Sequence, residues 1–147
     1  MGTDMTTFIE VYDDNEKEWK FVTKEMSVRN YSMFARIGGV RGCYCGNEEF
    51  HNRGLPRHMS ETYETSCIRD EKKRKEACYH SITYYSAKDL LKTVIGYVDE
   101  DDEFPCEITF DMIMGDFECT GAWSIMLQAL IKKKGPKYVR FIFAFDC

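Results

Sequence analysis

Tyr138-Val139-Arg140-Phe141-Ile142-Phe143-Ala144-Phe145 is apolar along its whole length except at Arg140. A strand with one wet face alternates apolar and polar residues, whereas a near-continuous apolar run has both faces covered and belongs in the middle of a sheet. Just upstream, Trp123, Met126, Leu127, Leu130 and Ile131 recur at helical spacing, lysines crowd the last turn, and Gly135-Pro136 ends the helix, predicted over 120–134. At the other end of the chain, residues 6–12 alternate and Asp13-Asp14-Asn15-Glu16 turns the chain. Residues 18–23, carrying Trp19, Phe21 and Val22, then return as the second strand of a hairpin. These pieces predict a small α+β domain in which the hairpin and the C-terminal strand share a mixed or antiparallel sheet covered by helices.

The chain of 147 residues is 44% hydrophobic and 14% aromatic, enough for one globular domain with its own core. The longest apolar run is far shorter than the roughly 20 residues that cross a bilayer, and the first residues have neither the basic start nor the apolar middle of a secretory signal. The expectation is a cytoplasmic protein without a membrane partner. The net charge of −5 argues against general nucleic-acid binding. None of the seven cysteines forms a C-x-x-C pair, and Cys43-x-Cys45 with His51 and His58 fits no common zinc spacing. Neither a metal nor a cofactor is expected.

Between the two ends the signals are weaker. The segment 59–77 turns strongly charged at Arg69-Asp70-Glu71-Lys72-Lys73-Arg74-Lys75-Glu76 and reads as a solvent-facing helix or a mobile flap. Residues 78–85 read as extended, after which Ser86 caps a helix over 87–96 with Leu90, Leu91, Val94 and Ile95 as its stripe. An acidic linker is expected over 99–103, and residues 107–114 fit a strand or the start of a helix.

Chemistry concentrates in residues 27–57. Five of the eight arginines lie there, with no lysine and only Glu48 and Glu49 as acids, so the stretch carries about 5 − 2 = +3 inside an acidic protein. Arginine presents a planar fork of donors that fits phosphate or carboxylate in bidentate fashion. Asn30 or Ser27 caps a short helix bearing Arg29, Tyr31 and Phe34, and Arg41 and the Arg53-Gly54-Leu55-Pro56 element follow. The bland alternative is a solvated face with stray salt bridges, and for Arg29 and Arg41 an internal pair with Asp4 or Asp146.

Several of these pieces, in order, resemble a family of small proteins encoded by bacteriophages and prophages, whose members open Met-Gly-Cys-Asp-Ile-His. Met1-Gly2-Thr3-Asp4-Met5-Thr6, Glu10 and Glu18-Trp19 are similar to its start. Arg29-Asn30-Tyr31, Phe34, Gly39-Val40-Arg41 and Arg53-Gly54-Leu55-Pro56 resemble its middle, and His80-Ser81 and Phe145-Asp146 its end. The resemblance spans nearly the whole chain. Thr3 and Thr6 stand where the family has Cys and His, and Cys78 replaces the earlier of two later histidines, so a metal-dependent mechanism would lack its ligands while the anion-holding arginines remain.

What the resemblance implies is a phage anti-defence protein, acting in the bacterial host cytoplasm, that sequesters a phosphorylated nucleotide immune signal. Such a sponge would counter Thoeris- or CBASS-type defence by holding a cyclic ADP-ribose derivative or a cyclic oligonucleotide. On this reading Arg29, Arg41 and Arg53 grip phosphates, with Asn30 beside them, and Gly54 and Leu55 supply backbone donors. Tyr31, Phe34 or a Tyr of the 79–85 segment flanks a base, and Asp4 or His80, with Ser81 beside it, reads ribose or base edges. Pockets of this kind often sit between subunits, so a homo-oligomer is one arrangement to test. The second class is an enzyme that cleaves such a nucleotide, with His80 as general acid or base and Asp4 as its partner. The third is a protein-binding inhibitor whose acidic surface occupies a host protein.

Overall fold

The computed structural model describes residues 2–43, 48–92, 95–97, 106–108 and 120–146, with side chains described outside 91–97, 106–108 and 120–124. Strands β1 (Met5–Asp13) and β2 (Glu18–Met26) form the hairpin. They are followed by α1 (Tyr31–Gly38), a 3-10 turn (Glu48–Phe50) and two short helices, α2 (Ser66–Arg69) and α3 (Glu71–Glu76). Next come β3 (His80–Ser86), α4 (Ala87–Lys92), the short strands β4 (Ile95–Tyr97) and β5 (Cys106–Ile108), α5 (Thr120–Lys134), a 3-10 turn (Pro136–Tyr138) and β6 (Val139–Phe145).

The main sheet runs β2-β1-β6-β3 and is antiparallel throughout, while β4 and β5 form a separate antiparallel pair among the described residues. Every residue of β6 is buried, as its composition predicts, and its neighbours are β1 on one side and β3 on the other. The fold is therefore a small α+β domain. On one face, Ile9, Phe141, Phe143 and Phe145 pack with Met33, Phe34 and Ile37 of α1 and with Leu127 and Ile131 of α5. On the other face, Phe8, Ile142 and Ala144 pack with Ile68, and with Leu55 and Met59 at the edge of the cluster. Each fully buried phenylalanine contributes roughly 1.5–3 kcal/mol by leaving water.

Local signals explain most boundaries. The Asn30 side chain accepts from Met33 N at 3.2 Å and starts α1, making it the cap of the two candidates. Gly38 lets α1 touch the sheet, because a Cβ there would lie 2.4 Å from the Phe145 ring. The Ser86 hydroxyl accepts from Asp89 N and the Asp89 carboxylate accepts from Ser86 N, each at 3.0 Å, a reciprocal cap that opens α4.

Two expectations change. The helix expected over 87–96 is described over Ala87–Lys92, and Ile95 is a strand residue paired with Ile108, a pairing that spacing within one segment does not encode. Met126, counted in the apolar stripe of α5, is 56% exposed while Leu127 is 1% exposed. The buried stripe therefore follows Leu127, Leu130 and Ile131. The charged segment forms α2 and α3, and α3 buries nothing. The expected acidic linker over 99–103, the C-terminal part of 107–114 and Cys45 fall outside the described residues.

Candidate functional site

The anticipated residues separate into three places. At the sheet end formed by the start of β1 and the end of β6, Asp4 N donates to Asp146 Oδ1 at 3.0 Å and Asp146 N to Asp4 O at 3.0 Å. Arg29 meets the Asp4 carboxylate in bidentate fashion, Nε to Oδ1 at 2.7 Å and Nη2 to Oδ2 at 3.2 Å. The Arg29 hydrogen bond, followed by burial that opposes it and then by the guanidinium charge, leaves the Asp4 carboxyl below its ordinary range. Arg41 donates from Nε to Thr3 Oγ1 at 2.9 Å and lies 5.3 Å from the Tyr31 ring centroid; Thr3 N donates to Tyr31 Oη at 3.4 Å. Arg29 thus pairs internally with Asp4, and Asn30 is spent on its cap. Phe34 is fully buried and packs on Tyr31 and Phe145, so it offers no surface for a base.

Arg53 lies elsewhere, along the outer edge of β3. Its guanidinium stacks 4.1 Å from the Tyr84 centroid and 5.1 Å from that of Phe50, and Nη1 donates to Tyr84 O at 3.2 Å. Arg53 stacks on Phe50 and Tyr84, whereas Arg29 meets Asp4 and Arg41 meets Thr3 and Tyr31, so the contacts described for the three guanidiniums fall in two places. Next to Arg53, Gly54 N donates to Ile82 O at 2.8 Å, which covers the strand edge and spends the donor expected to face a ligand. Glycine stands at position 54 for its backbone, at φ 80°, and not for close approach, since a Cβ there would meet nothing within 4 Å.

The third place is a recess of about 450 Å³ at the start of β3, on the face opposite α1. Gly54, Leu55, His80 and Ser81 all line it, together with Asn52 and Arg74. The β3–β6 register slips between His80 and Thr83, so one extra residue bulges out of the ladder at Ser81 and Ile82. Asn52, Cys78 and Ser81 adopt φ of 48°, 59° and 52°, a left-handed backbone that non-glycine residues hold only when their surroundings impose it. His80 Nδ1 lies 2.9 Å from Ser81 Oγ. Arg74 donates from Nη1 to Ile68 O at 2.8 Å, and no described residue meets its remaining guanidinium donors. The Tyr79 ring lines the recess and packs edge-on to Phe8, with centroids 6.4 Å apart. Arg74 was hidden from sequence reasoning inside a charged run, where nothing distinguishes one solvated cation from another.

A second group missed in the sequence lies on the same face. Glu10 is fully buried and Arg140 is 6% exposed; Arg140 Nε and Nη2 both lie 2.7 Å from Glu10 Oε1. The other carboxylate oxygen accepts from Ser60 N at 2.7 Å and Ser60 Oγ at 2.6 Å. Burial pushes the Arg140 guanidinium below its usual range while Glu10 pulls it back up, and a guanidinium remains charged in any case. The sequence signal was present in the one charge that interrupts the apolar strand. No group of three or more potential metal ligands occurs among the described residues, and no helix there is long and apolar enough to cross a membrane. Comparison with family models, with curated proteins and with solved structures returned no match to this chain, so its site is argued from its own residues.

Proposed function

We propose that the chain is a binding protein for a small phosphorylated nucleotide, held in the recess at the start of β3. The observation that carries this is convergence: Gly54-Leu55 and His80-Ser81, anticipated from separate stretches of sequence, line one recess together with an arginine that gives only Nη1 to another described residue. Arg74 supplies the phosphate contact, His80 and Ser81 the polar edge, and Tyr79 an apolar wall. Arg29, Arg41 and Arg53 take structural roles at the sheet end and the strand edge. The resemblance to phage proteins supports the finer reading, sequestration of a nucleotide immune signal such as a cyclic ADP-ribose derivative or a cyclic oligonucleotide.

Titration calorimetry across a panel of such nucleotides tests this, with low-micromolar or tighter binding expected. Arg74→Gln weakens binding by about 10- to 100-fold, the loss typical of a charge-assisted hydrogen bond, and Arg53→Gln leaves it nearly unchanged. No heat and no melting shift with any member of the panel would refute the proposal. The His80–Ser81 contact favours a second reading, hydrolysis with His80 as base, although Asp4 is engaged by Arg29 and is not its partner. Chromatography of the ligand after heat denaturation separates the two, since a sponge returns it intact and an enzyme returns product.

A further inference from the structure

A second cleft, of about 670 Å³, opens on the same face as the recess but at the hairpin end, between Trp19 and Tyr12 on one side and residues 58–62 on the other. Its walls are held by the buried ion pair. The Arg140 guanidinium lies 3.9 Å from the Trp19 ring centroid and braces the indole, while Glu10 binds the backbone and hydroxyl of Ser60 on the opposite wall. Tyr12 meets Trp19 edge-on with centroids 5.5 Å apart and stacks on Tyr138 at 5.9 Å. The aromatic platform is thus fixed before any ligand arrives, which lowers the ordering cost of binding.

The lining selects a class of ligand. Lys17 and Lys20 are balanced by Glu18 and Glu61, and the Lys20 ammonium is already bonded to Glu16 and to Glu18. Among the described residues no arginine lines the cleft, and its two lysines are matched in charge by two glutamates, so an anionic phosphate gains little there. Among the described residues, none hydrogen-bonds the Tyr12 hydroxyl, Trp19 Nε1 or the His58 ring, a set that can both donate and accept. A flat, uncharged molecule with donors and acceptors on its rim satisfies all of these conditions.

We propose that this cleft binds an unphosphorylated nucleoside, its base stacked against the Trp19–Tyr12 platform and its edge read by His58. The site is independent of the phosphate recess, because it contains neither Arg74 nor His80. Trp19 is one of two tryptophans, so the full chain carrying Trp123→Phe reports on it alone. Titration with adenosine and guanosine is expected to quench that fluorescence saturably, with Kd below about 1 mM for at least one of them. His58→Gly, which suits the left-handed backbone at φ 57°, keeps the fold and weakens binding about ten-fold. If Trp123→Phe does not fold, a melting-temperature rise of the unaltered chain with the same nucleosides replaces the fluorescence readout. The proposal is overturned by an unsaturated response up to about 10 mM, by undiminished binding to His58→Gly, or by glucose quenching as well as the nucleosides do. Adenosine carries no phosphate, so its failure leaves the nucleotide reading of the other recess standing, and failure of that reading leaves this one untouched.

Discussion

Two arginine–carboxylate pairs among the described residues share a contact distance and differ in surroundings. Arg29 grips Asp4 at 2.7 Å with its side chain 54% exposed, and Arg140 grips Glu10 at 2.7 Å with its side chain 7% exposed. In water the first pair exchanges solvent contacts for each other and gains little. The second pair cannot turn to solvent if it is broken, so each partner depends on the other. The buried pair also does structural work across the sheet, since Glu10 and Arg140 are directly opposite on β1 and β6, and Ser60 ties the segment beyond them to the same carboxylate. The difference teaches that contact distance says little about what a pair contributes; access to water decides it.

The sharpest way to break this comparison is Arg140→Met. It leaves the Glu10 carboxylate buried with only the Ser60 donors and is expected to cost about 3–5 kcal/mol in urea unfolding. Adding Glu10→Leu removes the stranded charge, and the double variant should recover most of that loss, because two apolar groups replace two ions without leaving either unpaired. A single variant within about 1 kcal/mol of the unaltered chain would mean that water reaches the pair. Ser60→Ala sharpens the same point at smaller scale. Glu10 Oε2 keeps the Ser60 N–H and loses the hydroxyl, so the expected cost is about 1.5–3 kcal/mol, the range of a hydrogen bond to a charged group.

The contrast also explains what could be read in advance. The hairpin, α1 with its Asn30 cap, the last helix and the central β6 follow from periodicity, caps and an unbroken apolar run, all of which are local properties of the chain. The arginines were legible as chemistry but not as geometry. A guanidinium reaches whichever carboxylate or ring the fold brings near it, and nothing in residues 27–57 says that Arg29 will find Asp4 or that Arg53 will lie between Phe50 and Tyr84. Gly54, Leu55, His80 and Ser81 were singled out, yet Arg74 beside them was not, because its place in the recess depends on α3 folding back toward β3. Arg140 was visible as a charge inside an apolar strand, and Glu10 as the one charge in the alternating run of residues 6–12. Their meeting depends on the β1–β6 register, a long-range pairing that spacing along the chain does not encode.

The smallest expected effect belongs to the exposed pair, and it has a direction that the buried pair lacks. The Asp4 carboxyl is held below its ordinary value chiefly by the Arg29 hydrogen bond, so the folded state binds that proton less readily than the unfolded chain. The stabilisation is therefore complete above the unfolded value of about 3.8 and fades as pH falls through the lower folded value. Asp4→Asn should shift the melting temperature at neutral pH by no more than about 2 °C, and less again in about 0.5 M salt. It should also flatten the acid limb of the stability curve below about pH 4. Asp146 N still donates to Asp4 O and the backbone N at position 4 to Asp146 Oδ1 in that variant, so the sheet end stays closed and the measurement isolates the side-chain pair. A larger, salt-insensitive loss at neutral pH would mean that Arg29 and Asp4 are desolvated in solution, and the distinction drawn between the two pairs would collapse.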